Sequence, residues 1–238
     1  MSFKGKMGGV AVLAAVMLSA APAQAVVTDT FAQFFQTNTN AKIFNYVNVT
    51  SGANKATFKS SGSTVNLSSL GTLAPSVASV TLNATSTALP VAGTLTTTQL
   101  FSGTLSFTLL APKTGLDGHS STNALTVSFM NAALKAEPGT SAPTLQADTA
   151  AGSTIVYTSS FFDFSDTKTE NFSLGFSGST KELTLKNGRL PNFNVSGSGT
   201  FAAANAVPEP ASWAMMLGGF GLVGGALRSR RKTVVAFG

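Results

Sequence analysis

The only histidine, His119, stands in the stretch LDGHSST with Asp117 before it and Ser120 directly after it. Hydroxyl, imidazole and carboxylate are the side chains of a nucleophilic triad. Such triads draw their members from separate segments, whereas these three share one glycine-containing turn, so the sequence reads them as a solvated loop. A second set, Asp163, Asp166 and Glu170 in FFDFSDTKTENF, would offer oxygen ligands to calcium if a loop folded them together. The D-x-D-x-D-G spacing is absent, and Asp163 faces away from Phe162 and Phe164, which reads as an exposed strand edge. The chain has no cysteine, which excludes thiol catalysis and cysteine-ligated metal. The expectation is a protein that is not an enzyme, with no catalytic residue, no metal and no cofactor. Five Asn-x-Ser/Thr sites, at Asn48, Asn66, Asn83, Asn171 and Asn194, arise by chance in a chain so rich in Ser, Thr and Asn.

The chemistry that remains is concentrated at the C-terminus, in VPEPASWAMMLGGFGLVGGALRSRRK. Ala211 to Leu227 is a run of 17 residues without a charge. As a helix it would be about 26 Å long, barely enough for a bilayer core of about 30 Å. Arg228, Arg230, Arg231 and Lys232 follow at once, and the positive-inside rule places them in the cytoplasm with Glu209 on the far side. Trp213 stands where an interfacial aromatic belongs. Pro208 and Pro210 stiffen the preceding backbone into an extended strand suited to a protease groove. A plain single-span anchor is the alternative. Gly221 and Gly225 form a G-x-x-x-G pair, a pattern that arises easily in so glycine-rich a segment.

Pro208-Glu209-Pro210, Ala211, Trp213-Ala214, the glycine-rich apolar run and the arginine cluster resemble the PEP-CTERM sorting signal, in its PEPxxWA form, of Gram-negative bacteria. The resemblance covers the tail and says little about residues 26 to 206. It implies recognition by exosortase, an inner-membrane cysteine transpeptidase whose substrates commonly accompany exopolysaccharide production. On this resemblance Pro208, Glu209, Pro210, Trp213 and Ala214 form the sorting and processing motif, and Arg228, Arg230 and Arg231 the stop. These are features of a substrate. Thr233 to Gly238 extends beyond the arginines, where such signals usually stop.

The N-terminus, MSFKGKMGGVAVLAAVMLSAAPAQA, has a basic start, an apolar run and small residues Ala23 and Ala25 in an A-x-A arrangement, which predicts a signal peptide cut after Ala25 by signal peptidase. Of the 15 basic residues in the chain, Lys4 and Lys6 lie here and four lie in the tail, leaving nine between them to balance nine acidic ones. The region between the ends is therefore neutral despite a pI near 9.8, and nucleic acid is excluded as a partner for want of clustered cations. Exosortase and signal peptidase are the expected partners, with exopolysaccharide as a further candidate and the inner membrane as a transient one. The chain is expected to be exported, held in the inner membrane as a precursor and then delivered to the cell surface or extracellular matrix.

Alternation of period two fills the middle of the chain: Leu105, Phe107 and Leu109 share one face, as do Leu125, Val127 and Phe129, then Phe172, Leu174 and Phe176. Leu183 with Leu185, and Phe193 with Val195, continue it. Shorter candidates lie at 43–49, 64–67, 77–82 and 94–100. With no crossover helices in view, the pattern predicts an all-β fold, an antiparallel sandwich, with a jelly roll equally compatible. Phe31, Phe34 and Phe35 are spaced for a helical turn, Glu137 to Ser153 reads as a long loop, and the Gly-Thr pairs at Gly71, Gly93, Gly103 and Gly199 read as strand starts. The expected organisation is a signal peptide (1–25), a β-domain (26–201), a tether (202–207), a sorting signal (208–232) with a transmembrane helix (211–227), and a short cytoplasmic extension (233–238). The expected function is that of a non-enzymatic surface or exopolysaccharide-matrix protein, with a carbohydrate-binding module as the alternative.

Overall fold

The computed structural model describes residues 29–38 and 40–205. Its strands are antiparallel throughout, as the alternation requires. The longest pair is the hairpin of β6 (Thr97–Thr114) and β7 (Ser120–Ala136), matched from Thr97 opposite Ala136 to Thr114 opposite Ser120. Leu105 and Phe107 on one strand and Val127 and Phe129 on the other point inward, and the chain turns at Gly118, whose φ of 76° suits glycine. β4 (Ser76–Ser86) lies on the other side of β6, and β3 (Ala56–Leu67) on the other side of β4.

Beyond β3 the sheet continues through β1 (Asp29–Gln36), β11 (Phe193–Asn205), β10 (Thr167–Ser177) and β8 (Thr144–Asp148), which returns to β7. β2 (Phe44–Asn48) fills the space between β3 and β11 past the end of β1. β5 (Val91–Ala92) and β9 (Thr154–Thr158) are short additions beside β6 and β7. Because β6 also pairs β7, the hydrogen-bonded path closes on itself and all the strands belong to one 11-stranded sheet. A sandwich would divide them between two sheets. Here the long strands change partners along their length: β7 meets β9 over Thr126–Met130 and β8 over Ala133–Lys135.

The enclosed space is filled with aromatic rings. Phe34 and Phe107 are 5.0 Å apart, Phe107 and Phe201 are 5.5 Å apart edge to face, and Phe58 and Phe176 are 5.0 Å apart edge to face. Tyr46 stacks on Phe193 at 4.7 Å. Its hydroxyl donates to Gln99 Oε1 at 2.7 Å, and Gln99 Nε2 donates to the Ala88 carbonyl at 2.8 Å, so both buried polar groups are satisfied. Burial pushes the Tyr46 phenol far above its ordinary value.

Several local expectations are corrected by this pairing. Phe31, Phe34 and Phe35 lie in strand β1, not in a helical turn, because pairing to β11 and β3 outweighs their helical spacing. The segment 137–153 is not a structureless loop: Leu145 and Ala147 of β8 are buried between β10 and β7. Leu183 is buried but forms no strand, its N–H donating to the Thr140 carbonyl at 3.0 Å. The candidate at 94–100 starts at Thr97, after a turn closed by Gly93 and Thr96. Gly103 and Gly199 do not start strands but sit inside them. A Cβ on Gly103 would collide with the backbone of Asn83 and Ala84, and one on Gly199 would come within 2.5 Å of Leu174 and 2.6 Å of Phe34. β11 runs on through Asn205, so most of the expected tether is paired strand, with Ala202 and Ala204 buried. Among the described residues no helix is long and apolar enough to cross a membrane. The expected helix at 211–227 and the signal peptide lie outside the described residues.

Two substitutions measure how tightly this interior is filled. Gly199→Val forces methyl groups against Leu174 and Phe34 and is expected to cost about 1–3 kcal/mol. Phe201→Ala empties the centre and is expected to cost about 3–5 kcal/mol. Chemical unfolding followed by circular dichroism checks both, and unchanged midpoints would contradict the packing.

Candidate functional site

Asp117 and His119 are brought together in the exposed turn between β6 and β7. Asp117 Oδ1 accepts the His119 backbone N–H at 2.9 Å, and Asp117 Oδ2 lies 3.4 Å from His119 Nδ1. The backbone bond holds the Asp117 carboxyl below its ordinary value. The two side chains are 69% and 83% exposed, so water surrounds both. Ser120 is the first residue of β7, paired with Thr114. The arrangement is a turn in which a carboxylate caps the backbone.

The three carboxylates of the second set part company. Asp163 is exposed and accepts the Ser165 N–H at 2.9 Å, which keeps its carboxyl below the ordinary value. Asp166 is exposed in the turn before β10. Glu170 is half-buried on β10, with Oε1 accepting the Thr167 hydroxyl at 3.1 Å. Among the described residues no group of three or more His, Asp or Glu is placed to hold a metal ion. The sequon asparagines do not converge either: Asn48 donates to the Leu190 carbonyl, Asn194 pairs with Asn45, and Asn83 is exposed on β4.

Sequence reasoning missed the outer face of the strands from β6 round to β1. Register places Leu100, Ala133, Gln146, Ser173, Thr200 and Gln33 in one row across six strands. The neighbouring row is Thr98, Lys135, Thr144, Gly175, Ser198 and Phe35. These residues face away from the core, and Phe35 exposes 56% of its surface. Shallow surface depressions of about 400 and 340 Å³ follow this face from β6 to β1, and a third of about 430 Å³ lies beside the second on β1, β10 and β11. The first and second share Ser173, and the second and third share Phe35, Gly175 and Ser198. The first also takes in Asn131, Asp148 and Asn171, so its charges are one lysine and one aspartate. Phe35 carried the one available signal, since its parity is opposite to that of buried Phe34.

Desolvation lifts the Glu170 carboxyl above its ordinary value of 4.5, with the Thr167 hydrogen bond acting in the opposite sense. The folded protein therefore holds this proton more tightly than the unfolded chain. The stability it contributes is complete below the ordinary value and is lost as pH rises through the raised one. Glu170→Gln keeps the shape without the charge, so it is expected to raise the Tm at neutral pH and to flatten the decline above about pH 4. Thermal melts across that range check the slope.

Pro208, Glu209, Pro210, Trp213, Ala214, Arg228, Arg230 and Arg231, with Ala23 and Ala25 at the other end, lie outside the described residues. The structure fixes where the chain leaves for the first group: β11 is paired to Asn205 opposite Thr167. No curated protein and no solved structure matches the chain. A family model described as the PEP-CTERM protein-sorting motif matches residues 206–232, beginning at the residue after β11 ends. An all-antiparallel β-domain thus leads directly into a tail that a family model identifies independently, and the chain is a protein carrying the PEP-CTERM sorting motif.

Proposed function

We propose that this chain is a non-enzymatic exported protein of the cell surface or exopolysaccharide matrix, cut by an exosortase at its C-terminal motif. The observation that carries the reading is the match at 206–232, which implies export through the membrane and sorting. Its setting supports it. A disulfide-free domain held together by burial can fold outside the cell, and β11 hands the chain on with no intervening element. The non-enzymatic part of the reading is supported by the scatter of the candidate groups, with His119 in a solvated turn and Glu170 bonded to Thr167 within β10.

The tail divides into stiff prolines outside, a marginal span, and arginines inside, and each part has its own expected failure. Arginine costs about 2.5–3.5 kcal/mol at the membrane centre, so replacing Arg228, Arg230 and Arg231 with Ala should let the span slip through. Glu209→Ala should leave insertion intact and block cutting, so that full-length precursor accumulates in the inner membrane. Deleting the host's exosortase should give the same accumulation. Fractionation with mass spectrometry of the mature C-terminus reads each case. Wild-type surface protein that still carries residues 213–232 would make the tail an anchor only.

A further inference from the structure

We propose that the outer face running from Leu100 to Phe35 is a binding track for an extended, uncharged polysaccharide, with the Phe35 ring at its β1 end and the gap at Gly175, two strands away, as its principal contacts. The proposal rests on the reading that the domain works among extracellular polymers. Its own evidence begins with Gly175. This residue is the third from the end of β10 and is still paired to β8 on one side and β11 on the other, a position where a glycine weakens a strand. Gly197 and Gly199, one strand away, are required by the core, because a Cβ at either would strike Phe44, Phe176, Phe34 or Leu174. At Gly175 a Cβ would meet nothing within 4 Å, and the backbone does not enter the left-handed region. Neither packing nor conformation calls for glycine there. What its missing side chain does is leave the outside open, in the row that joins Phe35 through Ser198. A glycine paired on both sides with that property fits a close approach from outside.

The surroundings specify what approaches. Hydroxyls and amides from Gln33, Thr200, Ser173 and Gln146 stand side by side at the strand spacing of about 4.8 Å. The six-strand row is about 24 Å wide from first strand to last. Such a ladder of donors and acceptors matches a linear chain of hydroxyl groups, and an exposed ring offers the apolar face on which a pyranose can lie. Charge decides against the other polymers. The depressions carry Lys135 and Asp148, one of each sign, so they offer no cationic field to an anionic glycan or nucleic acid. Shallow depressions that share Ser173, and then Phe35, Gly175 and Ser198, adjoin one another on this face.

The exported chain, recovered from the cell envelope or medium, is tested by co-sedimentation with insoluble cellulose, a β-1,3-glucan and mannan, with calcium alginate beads as the anionic comparison. Saturable binding to at least one neutral polymer is expected, exceeding binding to alginate and falling about tenfold in Gly175→Val and in Phe35→Ala. Gly175→Val places a strand-favouring side chain in open space and should keep or raise the Tm. If it fails to fold, Phe35→Ala decides alone, since that side chain lies outside the core. Ser106→Ala, on another part of the exterior, should bind as wild type. Binding to none of the neutral polymers, equal binding by the track variants, or preference for alginate would overturn the proposal. Fractionation separates the two readings: surface protein that binds no neutral glycan defeats the track alone, while wild-type chain that stays in the inner membrane defeats the sorting reading whatever it binds.

Discussion

The fold depends on how closely β11 lets its neighbours approach. Gly197 and Gly199 remove two side chains from the inward face of this strand, and the space is taken by Phe44, Phe176, Phe34 and Leu174, whose atoms would lie within 3 Å of any added Cβ. Val195 and Phe201 on either side of the glycines remain large and buried. The strand alternates wide and narrow along its length, and rings from β1, β2 and β10 interlock over it. Sheet hydrogen bonding alone would not fix this arrangement, because a one-residue slip of β11 would drive Ser198 inward and expose Phe201. The glycine slots and the flanking side chains make the register costly to shift. With no disulfide in the chain, this interlocking and the burial it allows carry the domain's stability.

The same strand is the domain's exit. β11 is paired on one side by β10 from Ser177 to Thr167 and on the other by β2 and then β1. A pull on the C-terminus is therefore borne by two ladders at once. This suits a chain in which the sorting motif follows β11 directly, because tension on the tail would fall on a strand paired along both sides. A tether after Phe201 would have placed that load on flexible backbone; the burial of Ala202 and Ala204 removes most of that slack.

How much of this could be read from the sequence follows from where the physical information lies. Strands with large alternating residues, such as Leu105-x-Phe107-x-Leu109, announce themselves because burial of one face is local in sequence. β8 did not, because its inward residues are Leu145 and Ala147, and alanine carries little contrast with the Ser and Thr around it. Phe31, Phe34 and Phe35 misled for the opposite reason: their spacing fits a helix, and only partners far along the chain, at 198–203, make the segment a strand with Phe35 outside. Gly103 and Gly199 look like turn residues until the side chains opposite them are known. Closure of the sheet lies furthest from sequence, since it depends on β7 pairing with β6 along one side and β8 along the other. The tail was legible because its signal is linear. The outer face was not, since its residues come from six strands and meet only through register.

Closure also explains the composition. Charged side chains, lysine above all, commonly guard the exposed edges of sheets against pairing with other chains. Here the hydrogen-bonded path returns to its start, which leaves the short strands β5 and β9 as the ends of the sheet's path. β5 is only Val91–Ala92, and β9 is drawn toward β10 by Tyr157, whose hydroxyl donates to the Asn171 carbonyl. With little edge to defend, the exterior can be made of Ser, Thr, Asn and Gln, and only 10% of the chain is charged. A surface of that kind still satisfies its polar groups through water, and it sets up no long-range field of either sign. The neutrality that set nucleic acid aside in the sequence is thus a property that the closed sheet allows.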